Sequence, residues 1–105
     1  MPQRILVVDD EAAIRDTLRM VLEYEGYEVA TVGDGRAALA ELDGAPAAAV
    51  LLDIKMAGMD GLETLDRIVA REAPPPVLMI SGHGDIATAV ECTRRGAADF
   101  LEKPL

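Results

Sequence analysis

The sequence predicts an α/β domain in which a parallel sheet of five strands is doubly wound, with helices on both of its faces. Short runs that are apolar throughout, such as residues 5–8 and 77–80, alternate with segments of helical periodicity. Such runs are typical of strands buried in a parallel sheet. Right-handed crossovers between parallel strands place the connecting helices on both faces.

The first half of the chain supplies two strands and two helices. Residues 5–8 are the first apolar run, and residues 11–25 place apolar side chains at helical spacing, which predicts the first helix. Gly26 is a natural residue after a helix end. The alternation over residues 27–32 predicts the second strand, and the Ala-rich residues 35–42 predict the second helix.

The third strand–helix unit is marked by a helix-start signal. Residues 48–52 form an apolar run that predicts the third strand. Asp60 and Glu63 have the spacing of a capping box, in which the first side chain accepts from first-turn amides and the second reaches back. A helix is therefore predicted over residues 61–72, and the prolines at positions 74–76 would end it.

The remaining elements are two strands with a helix between them. The apolar residues 77–80 predict the fourth strand, and residues 99–101, in which two apolar side chains follow Asp99, predict the fifth. Between them we expect a helix over residues 86–95, with Asp85 as its cap and Gly96 closing it.

Composition limits the class of protein. The 105 residues suffice for one domain, half of them are apolar, and the net charge is −9. An acidic surface argues against direct nucleic-acid binding by this segment. Cys92 is the single cysteine, which suits a reducing compartment. The sequence has neither a signal-peptide pattern nor an apolar stretch that could span a membrane, so we expect a cytoplasmic protein.

The predicted elements stop after the fifth strand, without a fifth helix. One sheet face would then expose apolar surface near that strand. We therefore expect residues 1–105 to be a single domain truncated at its C-terminus, and a partner or a second copy, as in a homodimer, to cover the gap.

Polar residues that suit phosphoryl chemistry follow the predicted strands. These residues are Asp9, Asp10, Asp53, Ser81 and Lys103. The carboxyl ends of parallel strands meet at one edge of the sheet, where ligands bind. Clustered carboxylates suit Mg²⁺, whereas zinc prefers Cys and His, of which the chain has one each. A carboxylate beside the ion can act as a nucleophile toward phosphorus, and a lysine and a hydroxyl can bind the phosphoryl oxygens.

Each of these residues also has a plain structural interpretation. Asp9 and Asp10 precede a helix and could cap it, Ser81 lies in a turn-prone sequence, and Lys103 could be a solvated surface side chain. Helix capping does not account for Asp53, which is followed by a loop.

Four motifs in order resemble the receiver domain of bacterial two-component response regulators. They lie at residues 5–11, 51–61, 79–82 and 96–104. The resemblance spans the chain, is greatest for receivers of the nitrogen-regulation type, and implies a flavodoxin-like fold with strand order 2-1-3-4-5. It also implies a signalling switch rather than an enzyme, one that controls a downstream effector domain with an output in transcription.

The resemblance implies a role for each residue of the predicted site. Asp53 would be the phosphoacceptor, which receives a phosphoryl group from a histidine of a sensor kinase. Asp10 would bind Mg²⁺ directly together with Asp53, Asp9 would bind it through a water, and the backbone carbonyl of Lys55 would complete the protein ligands.

Further roles follow from the same resemblance. Ser81 and Lys103 would bind the phosphoryl group, and Phe100 would be the switch aromatic that turns inward when Ser81 moves. Lys55 and His83 would tune the lifetime of the phosphate. Phe100 could equally be an ordinary core aromatic, and His83 a solvent-facing loop residue.

Two other functions remain open from the sequence. A magnesium-dependent phosphohydrolase would use an aspartyl phosphate too, but its best-known class has an acid two residues after the nucleophile, where this chain has Lys55. A truncated scaffold or dimerisation module could keep the fold without ever carrying phosphate.

Overall fold

The computed structural model describes residues 3–56, 58–82 and 86–103, which form five strands and four helices. In chain order the elements are β1 (Arg4–Val8), α1 (Ala12–Tyr24), β2 (Glu28–Val32), α2 (Gly35–Gly44), β3 (Ala49–Asp53), α3 (Gly61–Val69), β4 (Val77–Ser81), α4 (Ile86–Arg94) and β5 (Asp99–Glu102). The described residues include no helix that is both long enough and apolar enough to cross a membrane.

The strands form one sheet in the order β2-β1-β3-β4-β5, and all neighbours are parallel. The predicted α/β class, strand order and doubly wound arrangement are confirmed. The order changes direction next to β1, and in parallel sheets of this kind a crevice opens beyond the strand ends at such a point. Register places Leu52 of β3 beside both Val8 of β1 and Met79 of β4, so these strands end close together.

The apolar core lies on both faces of the sheet because successive strand residues point to opposite sides. On one face the strand residues pack against α2 and α3, and this cluster includes Leu6, Leu52, Met79, Leu42, Leu65 and Ile68. On the other face α1 covers β1 and β2, and the buried residues are Ile5, Val7, Leu18 and Ile80.

The predicted helix boundaries were wrong for two helices. The second helix continues to Gly44 instead of ending at residue 42, and its end is held by Arg4, whose guanidinium pairs with Glu41 and donates to the Ala45 carbonyl at 3.2 Å. The third helix ends at Val69 rather than near residue 72, because the chain tightens into a turn in which the Arg71 amide donates to the Ile68 carbonyl at 3.1 Å.

Helix starts depend on aspartate caps. Asp60 accepts from the Glu63 amide at 2.9 Å, as predicted, whereas the Glu63 carboxylate pairs with Arg67. Asp34 caps α2 through the Ala37 amide at 2.8 Å, which we did not predict. The predicted cap Asp85 lies outside the described residues.

Two glycines permit close packing on one face of the sheet, Gly61 between α3 and the end of β3 and Gly35 between α2 and α3. A Cβ built on Gly61 would lie 2.2 Å from the Asp53 carbonyl oxygen and 2.5 Å from Cα of Ile54. A Cβ on Gly35 would lie 2.1 Å from Oγ1 of Thr64. Because these contacts leave no room for a side chain, the start of α3 is fixed directly against the backbone of Asp53.

Gly61→Ala should lower the free energy of unfolding by roughly 1–3 kcal/mol, because the methyl group would overlap backbone that cannot move independently. Gly44→Ala is the matched control, since a Cβ there meets nothing within 4 Å. It should raise stability by up to ~1 kcal/mol through helix propensity. Urea denaturation measures both; a Gly61→Ala variant as stable as the parent would contradict the close approach.

Candidate functional site

The carboxyl ends of four strands bring the predicted site residues to one edge of the sheet. Asp9 directly follows β1, Asp53 ends β3, Ser81 ends β4, and Lys103 follows β5. The Lys103 amide donates to the Ser81 carbonyl at 2.7 Å, which continues the β4–β5 pairing to this edge. A cavity of about 180 Å³ opens here, lined by Glu11, Asp53, Lys55, Ser81, Gly82 and Lys103.

Three carboxylates form an acidic cluster beside this cavity. Oxygen atoms of Asp9, Asp10 and Asp53 all lie within 4.8 Å of one another. Asp9 and Asp53 are buried, whereas Asp10 is exposed. Oδ2 of Asp9 is buried in this cluster, and Nζ of Lys103 lies 3.0 Å from it. An all-oxygen set that is partly open to solvent fits a hard divalent cation such as Mg²⁺ or Ca²⁺.

Asp9 contacts the turn before α1 as well as the cluster. Its Oδ1 accepts from the amide of Glu11, the residue that precedes α1, at 2.9 Å, but the first-turn amides of α1 have no side-chain cap. Its Oδ2 instead lies 3.0 Å from Nζ of Lys103. The side chain therefore orders the turn before α1 and also contributes charge to the site.

Lys103 neutralises part of the acidic cluster. Besides Asp9, its Nζ lies 3.6 Å from a Glu11 oxygen and 3.7 Å from Oδ1 of Asp53. Burial acts to lower the pKa of Lys103, but the hydrogen bond with Asp9 and the attraction of Asp53 and Glu11 outweigh it and raise the pKa. The side chain is only 15% exposed, so Lys103 is not a solvated surface lysine.

Asp53 is an unusually basic carboxylate. Burial raises its pKa most, and repulsion from Asp9 and Asp10 adds to the effect. Attraction to Lys103 and a hydrogen bond with the Lys55 backbone lower the pKa in part, and the result is a pKa of about 6. Repulsion between carboxylates thus persists in the absence of a cation.

The other predicted residues differ in their position relative to the cavity. Ser81 is buried and lines the cavity, and the exposed Lys55 lines its mouth. Phe100 is half-buried, pairs with Met79 in the sheet and packs against the larger core cluster. His83 lies outside the described residues.

Two site residues were missed from the sequence. Glu11 lines the cavity, although it reads as an ordinary first-turn acid; its place after the Asp9–Asp10 pair was the available signal. Arg15 of α1 donates from Nη1 to the Asp9 carbonyl at 2.7 Å. An arginine on an amphipathic helix gives no sequence signal for such a contact.

Asp53→Asn should stabilise the metal-free protein at pH 7, because it removes a buried charge that faces two like charges. A pKa raised from 3.8 to about 6 corresponds to a gain of at most roughly 3 kcal/mol. The folded-state pKa lies above the unfolded one, so the gain is complete above pH 6 and disappears as the pH falls toward 3.8.

Chemical denaturation in chelator at several pH values measures this gain. Asp16→Asn, the same change at an exposed position on α1, is the control and should alter stability by less than about 0.5 kcal/mol. Equal effects of the two variants at every pH would contradict the repulsion assigned to Asp53.

Comparison with known proteins assigns the chain and its fold to a family. Residues 5–105 match the family model described as the response regulator receiver domain. The chain is 50% identical over 107 residues to the nitrogen assimilation regulatory protein NtrX of Azorhizobium caulinodans, covering 99% of this chain and 23% of NtrX. It is 45% identical over 100 residues to the transcriptional regulatory protein FixJ of Bradyrhizobium diazoefficiens, covering 95% of this chain and 49% of FixJ.

Solved structures agree with the sequence relatives. The crystal structure of the receiver domain of NtrX from Brucella abortus superimposes with a TM-score of 0.90 at 50% identity, covering 96% of this chain and 86% of that one. A response regulator from Burkholderia pseudomallei, solved with a phosphorylated aspartic acid, a calcium ion and citrate, has a TM-score of 0.91 at 27% identity, covering 98% and 61%.

This chain spans about half or less of the length of these curated relatives. The superposition on the solved NtrX receiver extends over 96% of this chain and includes its five-stranded parallel sheet. The chain therefore belongs to the receiver domain family of two-component response regulators, and its relatives include receivers of the nitrogen-regulation type.

Proposed function

We propose that this domain is a phosphorylation-dependent switch, in which Asp53 accepts a phosphoryl group from a histidine of a sensor kinase with Mg²⁺ bound. The observation that carries the proposal is the convergence of three carboxylates, a lysine and a hydroxyl at one edge of the sheet. The phosphorylated aspartic acid and the calcium ion in the Burkholderia pseudomallei regulator support it by analogy.

The phosphoryl transfer step needs a free carboxylate at Asp53. With a pKa of about 6, Asp53 is roughly nine-tenths ionised at pH 7. One of its oxygens attacks phosphorus, a new O–P bond forms, and the bond from phosphorus to the kinase imidazole nitrogen breaks. The electron pair of the broken bond stays on that nitrogen, so atoms and charge balance.

The acidic cluster would hold the cation that this step requires. In the proposal Asp10 and Asp53 bind Mg²⁺ directly, Asp9 binds it through a water, and the Lys55 carbonyl is the remaining protein ligand. When bound, Mg²⁺ neutralises charge on the phosphoryl oxygens during transfer. The exposure of Asp10 supports its role as the ligand nearest solvent, where waters can complete the coordination shell.

Lys103 and Ser81 would convert the chemical change into a structural one. Before phosphorylation, the Lys103 ammonium is shared between Asp9 and Asp53. A phosphoryl group on Asp53 offers stronger acceptor oxygens, which would draw Lys103 and the Ser81 hydroxyl toward it. Such differential contacts shift the population between two conformations. Phe100, on β5, the strand directly before Lys103, would turn inward as the switch aromatic.

The remaining parts of the proposal concern the whole protein. The receiver would control a downstream output domain, and the names of its relatives support an output in transcription. Lys55 and His83 would set the phosphate lifetime. The acidic charge argues against nucleic-acid binding by this segment. The lone thiol of Cys92 suits the cytoplasm, where we place the protein.

A second part of the proposal concerns the partly exposed sheet face over β4 and β5. Leu101 pairs with Ile80 and therefore lies on the face that α1 covers elsewhere, as does Leu78, and both leucines are partly exposed. We propose that a second copy of the chain covers this face in a homodimer.

Sedimentation equilibrium should find a concentration-dependent dimer. Leu78→Lys should weaken this dimer, because the change places a charge on the apolar face that the second copy covers. Val90→Lys is the matched control, since Val90 is an exposed valine on α4. A parent chain that stays monomeric, or a dimer that only Val90→Lys weakens, would contradict the assignment.

Intact mass after incubation with Mg²⁺ and a small-molecule phosphodonor tests the switch proposal. We expect a single hydroxylamine-labile phosphate on the parent and none on Asp53→Asn, because only an acyl phosphate at Asp53 has that lability. Equal labelling of the two proteins would contradict the assignment of Asp53. An unlabelled parent that still binds Mg²⁺ would favour a phosphate-silent scaffold, and rapid turnover of phosphomonoesters would favour a phosphohydrolase.

Lys103→Ala separates cation binding from switching in the same experiment. The variant should still bind Mg²⁺, because the ligands are retained, but it should lose the phosphorylation-linked changes in the NMR spectrum of β4 and α4. Spectral changes equal to those of the parent would count against the proposed role of Lys103. Arg19→Ala is the control for loss of a positive charge, since Arg19 is exposed on α1 and its hydrogen bond goes to Thr31.

A further inference from the structure

Arg15 of α1 reaches the backbone of the acidic cluster. Its Nη1 donates to the carbonyl oxygen of Asp9 at 2.7 Å, and its side chain is half-buried. The guanidinium lies over the turn that follows β2, where a Cβ built on Gly33 would be 3.4 Å from Nη1. Arg15 thus bridges the loops that follow β1 and β2, next to the place where the carboxylates meet.

With this contact, three polar groups of Asp9 have partners. Its amide donates to the Val32 carbonyl at 3.2 Å, its carbonyl accepts from Arg15, and its Oδ1 accepts from the Glu11 amide. Only Oδ2 remains for the site, where it faces Lys103. Because Arg15 binds the carbonyl instead of the carboxylate, it fixes Asp9 without occupying an oxygen that the site needs.

Such an anchor matters because the carboxylates of the cluster repel one another. Oxygen atoms of Asp9 and Asp53 belong to a cluster that lies within 4.8 Å, so their like charges repel each other, and a loop that could move would separate them. A site whose ligands are already in place binds a cation without the cost of gathering them. Residues that orient metal ligands from outside the coordination shell influence affinity accordingly.

We propose that Arg15 is a positioning residue that holds Asp9, and with it the acidic cluster, in the arrangement that binds Mg²⁺. The inference rests on the proposed function, because it assigns Mg²⁺ to that cluster. It goes beyond that function in adding a cation-binding determinant that touches neither the ion nor the phosphoryl group.

The positive charge of Arg15 would weaken Mg²⁺ binding, whereas its anchoring of Asp9 would strengthen it. A guanidinium near the cluster repels an incoming cation, so loss of charge alone would strengthen Mg²⁺ binding. Anchoring and charge therefore predict opposite signs for Arg15→Gln. Arg15→Lys keeps the charge but replaces the planar donor fork with a single ammonium, which separates the two effects further.

Arg19 offers matched controls on the same helix. It lies four residues after Arg15 and also reaches β2, through a 3.3 Å hydrogen bond from Nη2 to Oγ1 of Thr31, but it is exposed and does not contact Asp9. Arg19→Gln and Arg19→Lys reproduce the chemical changes without altering the anchor.

The experiment measures Mg²⁺ affinity of the 105-residue chain by calorimetry for the parent and the four variants, after urea denaturation has shown that each is folded. Arg15→Lys and Arg15→Gln should both bind Mg²⁺ roughly tenfold more weakly, while the Arg19 variants match the parent. Phosphorylation at saturating Mg²⁺ should return to the parental rate, since the anchor affects binding and not the transfer step. Unchanged affinity in Arg15→Lys, or tighter binding in Arg15→Gln, would overturn the proposal.

A metal-free measurement separates this inference from the proposed function. Amide exchange of Asp9 and Glu11, followed by NMR in chelator, should accelerate in both Arg15 variants and in neither Arg19 variant. Unchanged exchange would overturn the anchoring role whether or not the protein binds Mg²⁺. A parent chain that binds no Mg²⁺ would overturn the proposed function and this inference together, and exchange would still show whether Arg15 anchors Asp9.

Discussion

Repulsion among Asp9, Asp10 and Asp53 is the constraint on which the rest of this structure depends. Two of these carboxylates are buried and all three meet within a few ångströms, and among the described residues the ammonium of Lys103 contacts the cluster. Burial raises the pKa of Asp53 most, repulsion from Asp9 and Asp10 adds to it, and the attraction of Lys103 offsets these effects only in part. The fold therefore holds a site that is electrostatically unsatisfied by itself and gains stability from an added cation.

The sheet and its loops oppose this repulsion by fixing the backbone of the acidic residues rather than their side chains. Parallel pairing sets the ends of β1 and β3 side by side, and the amide of Asp9 donates to β2. Gly61 lets α3 begin directly against the Asp53 carbonyl, and Arg15 binds the Asp9 carbonyl. Each contact leaves the carboxylate oxygens available, so the position of the acids is set without using their ligand capacity.

The sequence was sufficient to predict the sheet and the residues at its edge, because a strand's end and its polar successor are adjacent in the chain. Asp53, Ser81 and Lys103 could thus be placed together although they are far apart in sequence. Side chains that reach the site from a helix could not be predicted in this way. Glu11 and Arg15 read as ordinary helix residues, since their contacts depend on rotamers and on the distance between α1 and the strand ends. The end of α2 was misplaced for the same reason, because Arg4 of another element stabilises it.

The anchors are distributed unevenly, and this distribution indicates where the domain can move. Around β1 and β3, Asp9 is held by hydrogen bonds and α3 packs against the backbone of Asp53. On the other side, Cys92 is the buried residue of α4, and Ile86 is 84% exposed. Yet Ser81 and Lys103, which are joined by a backbone hydrogen bond, belong to that more loosely packed side. A new charge at Asp53 would therefore pull on β4 and β5 while the acids stay in place, and the movement would pass to α4, where few packing contacts oppose it.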